Sequence, residues 1–495
     1  MLRARAQRLL GYFLVSFGSL GFQYAFGPIY AELLEQLDGS REVTSLVASL
    51  CVGIMDMLGF VSGALVLRYG SRRCCITASL LTSIGWGLSA VVQEPWQLLM
   101  TYSLLVGVGH SLALYSAIVC IGRWFSRRLA LAHALPNTGG ALTPLLMGLL
   151  APALFDAVGW RGSFLALGGL NGAALLVAGC LLTPPPAETI QSTITVTSPA
   201  LQNDVTVPPP KGDSAPSSRP QPPPSPERRE EAGLSEVVRG RRLQLLCTSL
   251  LGFGLGGWMM VVHLVKMARD GGMDESRATR LLTFLSLGSA TVRMPWAYLV
   301  RYSGQTPPSV AHDTTEPQSA PARRLLCLPQ GAWLLSSPHF RQRPSDESRC
   351  DTQADRAGRR RAVSMAMAVL SVVHLACAFA AARASPGFLA FLAYCVGGFN
   401  GSVLSCSASL PAELLPPRHQ RLAQAGVYTP IGVGFIVGPL AAAALQRSSG
   451  DYASSAVLAS VCFALGAALM LYLSVLPPVD DASARRSKVE KVNAS

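Results

Sequence analysis

Residues 162–182 read GSFLALGGLNGAALLVAGCLL, and residues 183–187 read TPPPA. The first stretch carries no charge over a length that lets a helix cross the hydrocarbon core of a bilayer. The prolines that follow stop it. Backbone groups facing lipid must satisfy one another, so this segment is predicted to be helical.

Working outward, five stretches of the same kind precede it, at about 9–31, 44–66, 74–92, 98–121 and 129–155. Six more follow, at about 243–268, 278–300, 362–382, 386–410, 421–446 and 454–476. Between the two sets lies 183–240, rich in Pro, Ser and charge, including Pro208–Pro210 and Pro222–Pro224. Such a stretch cannot bury a core, and its composition predicts a disordered linker. Composition agrees with a polytopic membrane protein: 50% of residues are hydrophobic, 14% are charged and mean hydropathy is +0.36. A soluble chain would carry about 25% charged residues.

The expected fold is all-α, with twelve transmembrane helices in two six-helix bundles. Residues 1–182 form the N-terminal bundle and 241–480 the C-terminal one. A second polar insert, at about 302–361, is expected to be a disordered loop within the C-terminal bundle, and 481–495 a tail. The halves echo each other: residues 66–71 read VLRYGS and residues 299–304 read LVRYSG, each at the exit of its bundle's second helix. Two matched six-helix halves are the layout of an alternating-access transporter, with its site at their interface.

The net charge of +13 does not call for nucleic acid. Arg3, Arg5 and Arg8, then Arg68, Arg72 and Arg73, then Arg123, Arg127 and Arg128, then Arg418 and Arg421 recur on one side of the expected helices. The positive-inside rule puts that side, and both termini, in the cytoplasm. The plasma membrane is the expected residence, an organelle the alternative. The first apolar stretch reads as a retained signal-anchor. The twelve cysteines lie mostly inside apolar stretches and show neither zinc-ligand spacing nor a disulfide framework. No Walker loop, nucleophile elbow or dinucleotide fingerprint is present, so no enzyme, cofactor or metal is expected.

Gly63, Arg68, Gly70, Arg72 and Arg73 form Gly-x-x-x-x-Arg-Tyr-Gly-Ser-Arg-Arg after the second helix. This resembles the loop signature of the major facilitator superfamily, with Leu67 where that signature has an acid. Residues 124–139, WFSRRLALAHALPNTG, resemble the fifth-helix signature of the monocarboxylate transporter family, with Arg127, Arg128 and Gly139 in register. Residues 21–26 (GFQYAF), 159–162 (GWRG), 264–270 (LVKMARD) and Gly438-Pro439 agree with that family too. The resemblance implies transport of small organic anions, monocarboxylates foremost, with protons as a possible coupling ion.

In that family an Arg in helix 8 binds the substrate carboxylate, with an Asp one turn before it and a Lys in helix 1. Here the Arg is kept as Arg293; Ser289 stands at the Asp position and Pro28 at the Lys position. An intramembrane Arg is costly and marks function by default, and its planar fork matches a carboxylate. The alternative is a structural pair. Asp56, mid-way along the second helix, is the candidate for proton coupling or for pairing with Arg293. Burial and a neighbouring guanidinium act on its charge in opposite senses. His110 is a second proton-coupling candidate; a plain hydrogen bond to a neighbour is the alternative. Tyr24, Asn137, Asn400, Tyr428 and Ser289 are candidates to hydrogen-bond substrate, or else to stitch helices. Two other readings remain open from sequence alone: a carrier of a neutral or aromatic solute, and a membrane sensor that does not transport.

Overall fold

The computed structural model describes residues 2–24, 41–125, 129–184, 240–302, 347–380, 385–414, 423, 424, 426–450 and 452–476. Among these residues the protein is helical throughout. Helix α1 runs Leu2–Ser16 and continues through a π-turn, Phe17–Gly21, to Phe22–Tyr24. Helix α2 is a bent pair, Arg41–Met57 and Gly59–Tyr69, meeting at 49°. Helix α3 is Ser71–Ser89; α4 is Gly107–Trp124, entered through the π-helical Leu99–Val106. The run Leu129–Leu181 divides at Gly159 into α5 (129–158) and α6 (160–181). In the second half, α7 is Arg241–Asp270, α8 Glu275–Tyr302, α9 Glu347–Ala380, α10 Pro386–Ser407, α11 Thr429–Ser449 and α12 Ala453–Val475.

Among the described residues, seven helices are long and apolar enough to cross a membrane, or eight counting the bent pair as one span. Helix α8, which carries Arg277, Arg280 and Arg293, is not among them. One expectation fails. The insert is not loop throughout, because α9 begins at Glu347, well before the predicted start at 362. Residues 347–361, ESRCDTQADRAGRRR, lack proline and are dominated by helix-tolerant Glu, Gln, Ala and Arg. Asp355 and Arg359 also sit at the favourable i,i+4 spacing. All of the 183–240 linker but its ends (183, 184 and 240), and most of the insert, lie outside the described residues.

Two glycines turn the chain. Gly70 has φ +90° and caps α2 by donating its N–H to the Val66 carbonyl at 2.9 Å. Gly159 has φ +67° and redirects α5 into α6. Side chains other than Gly are strained in that region.

Each half has its own core. In the first, Phe22, Trp86, Tyr102, Trp160 and Phe164 pack together, with the Trp86 ring 5.1 Å from Tyr102 and 5.3 Å from Phe164. In the second, Met260, Leu264, Leu281, Leu285, Leu389 and Leu392 do the same. A third cluster joins the halves, running from Tyr12, Met55 and Tyr115 to Leu404, Tyr428 and Phe435. Outside, α3, α6, α9, α10 and α12 expose Leu80, Ile84, Leu165, Phe379, Phe391 and Leu465. An apolar surface that broad faces lipid rather than water.

The halves meet along two seams, α5 against α8 and α2 against α11. The second seam is set by glycine. A Cβ built at Gly432 would lie 2.3 Å from the Met57 nitrogen and 2.6 Å from the Gly53 carbonyl oxygen. One at Gly53 would lie 2.1 Å from Ile436. Small residues let membrane helices close to backbone contact. Gly432→Ala is therefore expected to destabilise the protein by about 1–3 kcal/mol through overpacking. Gly169→Ala, where a Cβ meets nothing within 4 Å, should be neutral or stabilising. Thermal melts of the two variants in one detergent check this; equal midpoints would remove the seam's dependence on Gly432.

Candidate functional site

Arg293 is the natural starting point, because a guanidinium inside a membrane bundle must be hydrogen-bonded to be tolerated. It sits on α8, 5% exposed. Its Nη2 donates to Ser289 Oγ, one turn earlier, at 2.8 Å. Its Nη1 donates to the main-chain carbonyl of Asn137 on α5, crossing from one half to the other. Pro136 precedes that residue. A third helix makes room: a Cβ at Gly401 of α10 would fall 2.6 Å from Arg293 Nη2 and 2.7 Å from Ser289 Oγ.

Asn137 is itself held. Its side-chain oxygen accepts from Ser16 Oγ on α1 at 2.9 Å. Asn137 also lines a small cavity between the halves, together with Tyr12, Leu20 and Gln23 of α1, Met55 and Asp56 of α2, and Tyr428. Leu404 and Phe435 close it from the second half. The cavity measures about 20 Å³, room for about one water. A smaller void near Met260, Leu285 and Cys377 is wholly apolar and offers a ligand nothing to bind.

Asp56 is 2% exposed, and its Oδ1 accepts from Tyr115 Oη at 3.5 Å, a long contact. Among the described residues it pairs with no Lys, Arg or His. The expected pairing of Asp56 with Arg293 is thus not made in this structure. The two are linked through Asn137, which lines the same cavity as Asp56 and whose carbonyl accepts from Arg293. The Tyr428 hydroxyl donates to the Leu404 carbonyl at 2.8 Å, and its ring meets Tyr115 edge-on at 5.9 Å, across the halves.

His110 on α4 contacts the cavity residue Gln23 and lies between it and Asn171. The Asn171 amide is oriented by Gly18, to whose carbonyl its Nδ2 donates at 2.6 Å. The same Nδ2 stands 3.2 Å from His110 Nε2, which must therefore accept. This is a stitch between α1, α4 and α6. Asn400 is another, its Nδ2 donating to the Gly257 carbonyl on α7 at 3.3 Å. Of the loop motif, Gly63 is buried, Arg68 stacks over Tyr69 at 5.5 Å, and Arg72 and Arg73 are exposed. Gly139 seats α5 on α1, where a Cβ would lie 2.6 Å from the Phe13 carbonyl oxygen. Arg127, Arg128 and Pro28 lie outside the described residues, as does the side chain of Tyr24.

The structure adds Tyr12, Ser16, Gln23, Tyr115 and Gly401 to the neighbourhood. Part of this had a signal. Tyr12, Ser16, Leu20 and Gln23 recur at the spacing of one helix face, as do Val52, Met55 and Asp56. Gly401 had none, because its role is to be absent from a space that Arg293 fills.

The family model of the Major Facilitator Superfamily matches residues 12–312 and 352–494. Monocarboxylate transporter 14 of Mus musculus is 34% identical over 184 residues, 37% of this chain and 36% of that protein. Human monocarboxylate transporter 11 is 28% identical over 285 residues, 57% of this chain and 53% of that one. These alignments span about a third to a half of the relatives' own length. Among solved structures, the human organic anion transporter MFSD10 (TETRAN) superposes with a TM-score of 0.58 at 13% identity, covering 95% of this chain and 98% of that one. That likeness speaks for the fold. With its two helical halves, its lipid-facing apolar surface and this family match, the chain is an integral multi-pass membrane protein that belongs to the Major Facilitator Superfamily and resembles its monocarboxylate transporters.

Proposed function

We propose that the protein transports small organic anions, monocarboxylates foremost, by alternating access of its two halves. The observation that carries this reading is the buried Arg293, bonded across the halves to the Asn137 carbonyl beside a cavity that both halves line. A carboxylate offers the guanidinium two charged acceptor oxygens where the peptide offers one neutral oxygen. Entry of the anion would exchange the second acceptor for the first and loosen the α5–α8 seam. The cavity holds about one water, so the halves must part to admit a solute. The relatives' names, and that of the organic anion transporter with the same fold, agree with this class of cargo.

The positive clusters at Arg3 to Arg8, Arg68 to Arg73 and Arg123 support a cytoplasmic position for both termini. The domain division follows the sequence: a six-helix bundle on each side of the linker at 183–240, with the plasma membrane as its residence. Asp56 is the proposed proton carrier. Its Oδ1 accepts from Tyr115, whose ring meets that of Tyr428 across the halves. A neutral Asp56 accompanying an anion would make the cycle electroneutral.

Arg293→Ala is expected to lower uptake of labelled carboxylates into proteoliposomes by about tenfold or more, since truncating a buried charged partner costs about 2–5 kcal/mol. Arg293→Lys should not restore it, a point charge being no substitute for the fork. Undiminished uptake in a correctly inserted Arg293→Ala protein would remove the guanidinium from the mechanism. For proton coupling, wild-type uptake should rise as the outside is acidified, and Asp56→Asn should flatten that profile. An unchanged profile in Asp56→Asn would assign coupling elsewhere.

A further inference from the structure

Two carboxamides meet one imidazole beside the inter-half cavity. Asn171 Nδ2 lies 3.2 Å from His110 Nε2, and Gln23 Nε2 lies 3.4 Å from His110 Nδ1. All three side chains are buried. A neutral imidazole accepts at one nitrogen and donates at the other, so it cannot receive an N–H at both. An imidazolium, which donates at both, would receive neither. One of the two amides must therefore turn its oxygen to the ring.

Asn171 is fixed. Its Nδ2 donates at 2.6 Å to the Gly18 carbonyl, in the π-turn of α1, and a turned amide would set oxygen against oxygen there. Gln23 is held less firmly. Apart from His110, its Nε2 meets only the sulfurs of Met55, at 3.3 Å, and Cys51, at 3.8 Å, which are weak acceptors. Turning Gln23 exchanges those contacts for an N–H···O bond from His110 Nδ1, and the Cys51 thiol can donate weakly to the same oxygen. Gln23 also lines the inter-half cavity. With its oxygen committed to His110, what its carboxamide has left for the cavity is N–H.

From this we infer that Gln23 is a solute-binding N–H donor, and that His110 is a positioning residue that holds it in that orientation and carries no proton in the cycle. The inference rests on the proposed anionic cargo, whose oxygens accept such a bond, and adds to it a recognition residue on α1. The chain of bonds begins at Gly18 and ends at Gln23, so it braces α1 across its π-turn by way of α6 and α4.

Two measurements test this. The first is the tautomer of His110 in the wild-type protein in bilayers at neutral pH, read by solid-state NMR of isotope-labelled histidine nitrogens. The signal is assigned by its contact with a labelled glutamine side chain. The proton should sit on Nδ1, with Nε2 bare; a proton on Nε2, or on both nitrogens, overturns the inference. The second is uptake of labelled propanoate into proteoliposomes over a concentration series. Gln23→Met keeps the length of the side chain and removes the donor. It should raise KM by about tenfold, the worth of one hydrogen bond to a charged group, with a smaller change in maximal rate. Gln23→Glu, which can only accept when ionised, should raise KM further, and His110→Leu should raise it in the same sense. An unchanged KM in Gln23→Met overturns the donor role. Should that variant not assemble, the wild-type tautomer still decides. Failure of the reading beneath looks different: Arg293→Ala would take up propanoate undiminished while the His110 proton stayed on Nδ1.

Discussion

A charged guanidinium that bonds a backbone carbonyl across two moving bodies is the constraint on which the rest of this structure turns. Burying Arg293 without partners would cost several kcal/mol, more than most single interactions in a protein return. Ser289 supplies one acceptor from the same helix, and Asn137 supplies another from the opposite half. Ser16 in turn fixes the Asn137 side chain. Gly401 keeps α10 from claiming the space. Four residues on four helices are thus committed to one cation. None of the acceptors named here carries a charge. On the proposed function, the neutral Asn137 carbonyl holds the seam and yields to a charged acceptor.

The second seam is built on the opposite principle. Between α2 and α11 the contact is backbone on backbone, with Gly53 and Gly432 face to face. Dispersion falls off within about an ångström of separation, so such a contact is either made or lost. A polar seam and a close-packed one therefore open with different sensitivities. On the proposed function, the polar seam responds to what is bound, because an anion competes for its donor. The packed seam responds to geometry alone. Asp56 lies on the packed seam, at the end of the first segment of α2 and just before its 49° bend. A charge carried there changes electrostatics at the place where the helix is already broken.

Much of this was legible in the residues. Apolar length and the proline-rich divider announce the two bundles, and Gly70 and Gly159 sit where their positive φ requires them. Arg293 and Asp56 stand out because ionisable side chains are rare in apolar runs. What could not be read was pairing. Nothing in the sequence says that Arg293 reaches a main-chain oxygen on α5, because backbone acceptors carry no residue-type signal. The same applies to the expected Arg293–Asp56 pair: complementary charges in two helices suggest a salt bridge, but the packing of α5 against α8 gave Arg293 a nearer acceptor. The early start of α9 escaped for another reason. Residues 347–361 are polar, and a reading that weighs apolarity finds a helix only where it enters lipid.

The disagreement over Asp56 is informative in itself. Had α8 offered its guanidinium to Asp56, the two charges would have neutralised each other, leaving neither for the roles proposed above. By holding Arg293 on a peptide oxygen, the fold keeps the two charges apart while leaving both near one cavity. Separated charges of opposite sign cost more to maintain than a bonded pair. On the proposed function, a carboxylate solute would engage Arg293 and a proton would neutralise Asp56, beside a cavity whose wall from Leu20 to Phe435 is largely aliphatic and aromatic.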